Sequence, residues 1–182
     1  MDNITHNTYL IKALNWFNWD LEQTVESLNY ALAYDPEDAY TLFTMARLQA
    51  EHLKNYPAAK DFYAQALSKN LDLVTAYPGY VRVLILNEEY HEALRLIDFA
   101  LGIQGTNKAF LYMQLGQVLE HLGKYRLAVK VLEQAFLRAT DELNEQIDQE
   151  ISRVKEKIKR AKVNSKKTKG KKKSKDKKKK KK

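Results

Sequence analysis

Two groups of residues in this chain have side chains that could do chemistry: four histidines, three of them next to a glutamate, and a dense run of lysines at the end. The histidines are His6, His52, His91 and His121. No two stand four residues apart, and none forms the His-Glu-x-x-His pattern that places two imidazoles and a base on one helical face. His52 and His121 each follow a glutamate, Glu51 and Glu120, but the two pairs lie far apart in the chain, too far to share one metal ion. There is no cysteine, which removes disulfides, thiol nucleophiles and thiolate metal sites. No glycine-rich phosphate loop, nucleophile elbow or pair of acids in a marked loop occurs. The reading is a non-catalytic protein with no cofactor and no metal.

The lysines are a stronger signal. Residues 163–182 hold 13 lysines and one acid, Asp176, a net charge of +12, whereas the other 162 residues hold 18 basic and 22 acidic residues, a net of −4. The overall +8 therefore hides a mildly acidic body and a polycationic end. Lys171, Lys172, Lys173, Lys177, Lys178, Lys179 and Lys180 are the residues expected to meet a polyanion. Each lysine that neutralises a phosphate releases condensed counterion, with a logarithmic salt slope near about −0.9 per contact. Near an anionic bilayer each contributes about 1 kcal/mol. No aromatic residue is interleaved, so bases have nothing to stack on and binding would be non-specific. Like charges at this density repel and no apolar group offsets the entropy of ordering, so 163–182 is expected to be disordered. Nucleic acid or the ribosome, an acidic protein, a lipid surface and a plain solubilising appendage all stay open for it.

Along the rest of the chain, apolar residues recur at three- and four-residue spacing on both sides of Gly123-Lys124-Tyr125, the mark of two amphipathic helices joined by a tight turn within Ala109 to Phe136. Gly116 leaves a notch in the first helix, and Ala128 and Ala135 supply small side chains on the second. Copies precede it. Ala31, Ala66, Ala100 and Ala135 are separated by 35, 34 and 35 residues, and Ala59, Ala93 and Ala128 by 34 and 35, with Thr24 at the matching place in the first copy. The turn recurs as Trp19-Asp20-Leu21, Lys54-Asn55-Tyr56 and Glu88-Glu89-Tyr90. Glu51-His52-Leu53-Lys54-Asn55-Tyr56 echoes Glu120-His121-Leu122-Gly123-Lys124-Tyr125. A period of this length implies stacked hairpins, none of which covers its own apolar faces.

The pattern resembles the tetratricopeptide repeat (TPR) family, whose unit of about 34 residues carries an aromatic, Leu-Gly, Tyr, Ala, Phe and Pro at set places. The fourth repeat matches through Tyr112, Leu115-Gly116, Ala128, Leu132 and Ala135, and the first through Ala31 and Asp35-Pro36. Lys12, Arg47 and Val81 stand where the family prefers a small residue, and Leu71 and Gly105 replace the proline. The resemblance implies an all-α, right-handed α-solenoid of about four repeats, at about 5–38, 39–73, 74–108 and 109–142, followed by a capping helix at 143–162 and the lysine tail at 163–182. It also implies an inner surface formed by the first helix of each repeat: Tyr9, Ala13 and Trp16, then Thr44, Leu48 and Glu51, then Arg82 and Ile85, then Met113, Gln117 and Glu120. Such a groove suits an extended peptide or amphipathic helix of a partner protein. The family's clamp for the carboxylate ends of heat-shock chaperones needs Lys, Asn and Arg, but its positions read Tyr9, Ala13, Met45, Thr75 and Gly79, so that ligand is not expected.

Three further features shape the expectation. Tyr77-Pro78-Gly79-Tyr80 falls where a first helix should already be running, which points to a short helix near 78–87, or else to a widened gap between repeats where a ligand enters. Leu143, Ile147, Ile151, Val154, Ile158 and Ala161 form an apolar stripe, acidic at its start and basic at its end in keeping with the helix dipole. It either covers the last repeat or pairs with a second chain as a coiled coil. Exposed repeat edges can also pair, so a homodimer stays open. No segment resembles a signal peptide or a membrane span, and a cytoplasmic setting is the expectation.

Overall fold

In the computed structural model residues 7–179 are described, with side chains described for 7–162. Residues 1–6, the last three lysines and the side chains of the other tail lysines lie outside them. The described residues form α-helices and turns: α1 (Thr8–Trp16), α2 (Leu21–Tyr34), α3 (Ala39–Glu51), α4 (Tyr56–Lys69), α5 (Ala76–Leu86), α6 (Tyr90–Gly102), α7 (Lys108–His121), α8 (Tyr125–Phe136) and α9 (Asp141–Lys179).

Local chemistry sets where the helices begin. Asn7, Asp20 and Asn55 cap α1, α2 and α4 by accepting from the backbone N–H three residues on, and Asp38 caps α3 by accepting from Tyr40 and Thr41. Pro57 and Pro78 both sit in the first turn of their helices, where a missing donor is harmless. The expected short fifth helix therefore exists, but it starts two residues earlier, at Ala76, because a proline can be accommodated anywhere in that first turn.

Two compact units result, residues 1–107 and 108–182. In the first, Leu10 and Ala13 of α1 and Phe17 just after it close on Leu28 and Ala31 of α2 and on Met45 and Leu48 of α3. In the second, Ile147, Ile151 and Val154 of α9 are buried among Met113, Leu119, Val129 and Leu132. The apolar stripe at the C-terminus thus covers the last hairpin within its own chain, and the coiled-coil alternative is not needed to bury it. Among the described side chains the last one packed there is Ile158, and the helix continues to Lys179. Lysine is among the better helix formers, and no proline follows Pro78 to stop the helix.

The turns expose a register shift. Lys54, Glu88 and Gly123 share positive φ, of 53°, 60° and 72°, at the turn between the two helices of a hairpin. Behind that residue Glu89 and Lys124 donate five residues back, to Leu84 and Leu119, whereas Asn55 donates six back, to Gln49. The first helix of the second hairpin is therefore one residue out of step, and its fully buried small residue is Ala46, not Arg47. In the first hairpin it is Ala13, not Lys12. Counting rigidly back from the alanines of the second helices misplaces Lys12 and Arg47.

Candidate functional site

Register decides which side chains can meet a ligand. Of the residues expected on the inner surface, Thr44, Leu48 and Met113 are core residues. Thr44 donates its hydroxyl to the Tyr40 carbonyl at 2.7 Å, and Leu48 and Met113 are each 1% exposed. Those three positions are corrected, the first two because the shift turns them inward. Ala13 is likewise fully buried. Gln117 and Glu120 are taken up by α9: Gln117 donates to Glu150 at 3.2 Å, and Glu120, 5% exposed, accepts from Arg153 at 2.6 Å and pairs with Lys157 at 2.7 Å. Tyr9, Trp16, Glu51 and Arg82 remain at the surface. Tyr9 packs on Tyr30 with ring centroids 5.5 Å apart, outside any cavity seen in this hairpin.

Glu51 and Arg82 come together. They border a cavity of about 420 Å³ between α3, α4 and α5, whose walls include Lys54, Tyr56, Tyr63 and Leu86, with Gly79 at its side. Tyr63 stacks on Tyr80 at 5.7 Å and 9°, and Phe43 lies 6.1 Å from it, so the wall is aromatic. Gly79 permits this: a Cβ there would lie 2.3 Å from the Tyr63 hydroxyl oxygen and 2.8 Å from Cζ. The glycine that the sequence links to a gap does border a cavity, whereas sequence reasoning misses Tyr63 because it lies on a second helix.

The mouth of this cleft is positive. Arg47 holds Glu51 through two hydrogen bonds of 3.0 and 3.1 Å, with its guanidinium 4.4 Å above the Phe17 ring. Lys54 donates to the Glu51 carbonyl at 2.5 Å. Arg82, exposed, forms no ion pair among the described residues. Burial pushes the Tyr63 hydroxyl well above its ordinary pKa, with Glu51 adding and Arg47 and Arg82 opposing, so it stays a neutral donor. Among the described residues no group of three or more histidines and acids could hold a metal, and no helix is long and apolar enough to cross a membrane. The carboxylate clamp stays absent after the register shift, since Leu10, Leu14 and Thr44 replace Tyr9, Ala13 and Met45.

Comparison of the coordinates with solved structures decides the fold. The chain is similar to pilF of Pseudomonas aeruginosa, at 19% identity and a TM-score of 0.71, over 84% of this chain and 68% of that one. It is similar to TTC0263, a thermophilic TPR protein of Thermus thermophilus, at 18% identity and 0.64, over 82% and 81%. It is also similar to YrrB, a TPR protein with an unusual peptide-binding site, at 26% identity and 0.56, over 70% and 63%.

This chain has a tetratricopeptide-repeat fold. No family model and no curated protein matches the sequence, so the likeness is carried by the coordinates. With the fold settled, Ala13, Ala46, Val81 and Gly116, all buried, read as corresponding positions of the four first helices, and of these Val81 alone is not small. At Gly116 a Cβ would lie 2.6 Å from Leu132 Cγ and Cδ2.

Proposed function

We propose that this chain is a non-catalytic interaction module that binds an extended segment of a partner protein in the cleft between α3, α4 and α5. The ligand class follows from the walls: an apolar or aromatic side chain to fill the space beside Tyr63 and Leu86, with an acidic group next to it to reach Arg82. The observation that carries the reading is the pairing of a preformed aromatic cavity with a cation that has no ion-pair partner of its own among the described residues. YrrB's peptide-binding site lends support by analogy of fold alone. A cytoplasmic setting and the absence of catalysis belong to the same proposal.

The test is a peptide-library selection on the immobilised full chain, followed by calorimetric titration of the selected sequences. Arg82→Glu and Leu86→Asp, both at exposed positions, are expected to weaken binding about tenfold or more while leaving the thermal midpoint within a degree or two. Peptides that bind both variants as tightly as the parent would move the site elsewhere.

A second reading rests on the +12 of residues 163–182: the tail carries the molecule onto RNA, the ribosome or another polyanion. Titrating a mixed-sequence RNA against the full chain at rising salt should then give a steep logarithmic slope that vanishes when the chain ends at Lys162. A slope that survives this truncation would assign the binding to the folded part.

A further inference from the structure

The two units each carry an apolar surface that their own packing leaves open, and the two are opposite in charge. On the first hairpin, Leu21 and Val25 of α2 line an open groove of about 700 Å³ with Glu22 and Glu26. Leu21 is 40% exposed; outside the groove lining, Ile11 and Leu14 of α1 are 40% and 42% exposed. Between Lys12 and Arg47 the sequence has no basic residue but has six acids. On the last hairpin, Tyr125 and Leu127 of α8 and Ile158 and Ala161 of α9 line a groove of about 560 Å³. Its rim carries Lys124 and Arg126, and Leu127 is 47% exposed. Glu22, Glu26, Lys124 and Arg126 are all exposed, and none of them forms an ion pair among the described residues.

We propose that the acidic groove along α2 docks into the basic groove of α8–α9 of a second copy of this chain. A hairpin array ends in an apolar face that the next hairpin would have covered. Exposed patches of this sort mark association surfaces. Here the pairing is specified by charge: a groove rimmed by glutamates repels its own kind and attracts one rimmed by lysine and arginine. The contact is heterologous, since the two surfaces differ, so each copy keeps one surface of each kind available for a further copy. The second copy, and not an unrelated protein, is the occupant because both complementary halves are encoded in the one sequence.

Sedimentation velocity of the full chain across a hundredfold concentration range, at low and high salt, reads the association. Expected is a concentration-dependent rise in sedimentation coefficient that salt weakens. The variants Glu22→Lys/Glu26→Lys and Lys124→Glu/Arg126→Glu should each stay monomeric at concentrations where the parent associates. Mixed one to one they should associate again, because each altered surface then meets a complementary one. All four positions are exposed, so both variants should keep the parent's circular dichroism and thermal midpoint, which separates lost docking from lost folding. A parent that stays monomeric throughout overturns the proposal. So does association that survives Lys124→Glu/Arg126→Glu, which would place the attraction in the lysine tail, and so does a mixture that fails to reassemble.

Discussion

The second and fourth hairpins place a glutamate at matching points of an echoed hexapeptide, and the two have opposite fates. Glu51 stands at the mouth of an open cleft, tied back by Arg47 from its own helix. Glu120 is buried under α9, held by Arg153 and Lys157. The ionic links invert as well. In the first unit one cation, Lys60 of α4, bridges two acids, Glu89 and Glu92, at the start of α6. In the second, one acid bridges two cations of α9. With α3 one residue out of step the two are not equivalent in the fold, so both the local register and what the chain lays over a residue decide whether it is available to a ligand. In one unit that leaves a cleft open beside Glu51, and in the other it closes the face that carries Glu120.

The largest expected effect tests whether the closed end is a separate structural unit. Ile147, fully buried in the second unit, anchors α9, and Ile147→Ala should cost about 2–5 kcal/mol. Hydrogen exchange should show the protection lost from residue 108 onward, with α1 to α6 little changed. An equal loss in both units would mean that the two open together and that the contrast between them is empty.

A middle-sized effect compares the two helical glycines that touch a facing helix. At Gly116 an added methyl meets Leu132, which is short, fully buried and hemmed in by the core. At Gly79 it meets the far end of Tyr63, which has the cleft beside it to move into. Overpacking costs about 1–3 kcal/mol, and replacing a helical glycine by alanine returns about 0.5–1 kcal/mol. Gly116→Ala should therefore lower the thermal midpoint more than Gly79→Ala. The reverse order in a melting experiment would show that the cleft gives Tyr63 no room.

Much of this is legible in the sequence. The alanines at 34- and 35-residue spacing set the second helices, because those positions touch the first helix at a distance only a small side chain allows. The stripe from Leu143 to Ile158 marks the cap. The first helices are harder. An extra residue in the turn before Tyr56 cannot be told apart within the alternation of 35 and 34 in the spacing of the alanines, yet it shifts α3 by one position and puts Ala46 where Arg47 was counted. Thr44 and Leu48 fall into the expected groove for that reason. Gln117 and Glu120 sit where repeat counting puts them, but no period announces which partner covers them. Glu120 gains its two cations from 33 and 37 residues away, a relation only the packing of α9 reveals.

The smallest effect bears on the inverted ionic links. Hydrogen bonds from Lys60 hold the Glu89 carboxyl below its ordinary value of 4.5, with Glu92 acting the same way, while Glu89 and Glu92 together raise Lys60 above its ordinary 10.5. Near pH 4.5 the unfolded chain binds a proton at Glu89 that the folded chain does not, so stability contributed by the depressed carboxyl is present above that value and is lost as pH falls through the folded one. Lys60 contributes fully below 10.5 and loses its share only as pH rises through its own higher folded value. Both losses lie outside the range between those two pH values. All three side chains are about a third exposed, so the network is screened and worth under about 1 kcal/mol. Lys60→Met should flatten the acid limb of the stability curve, measured by urea unfolding at a series of pH values below about 6. Exchange in α4 and α6 should report it, and exchange in α7 to α9 should not. An acid limb unchanged by Lys60→Met would shift that pH dependence to other carboxylates and leave the tie between the second and third hairpins to apolar packing alone.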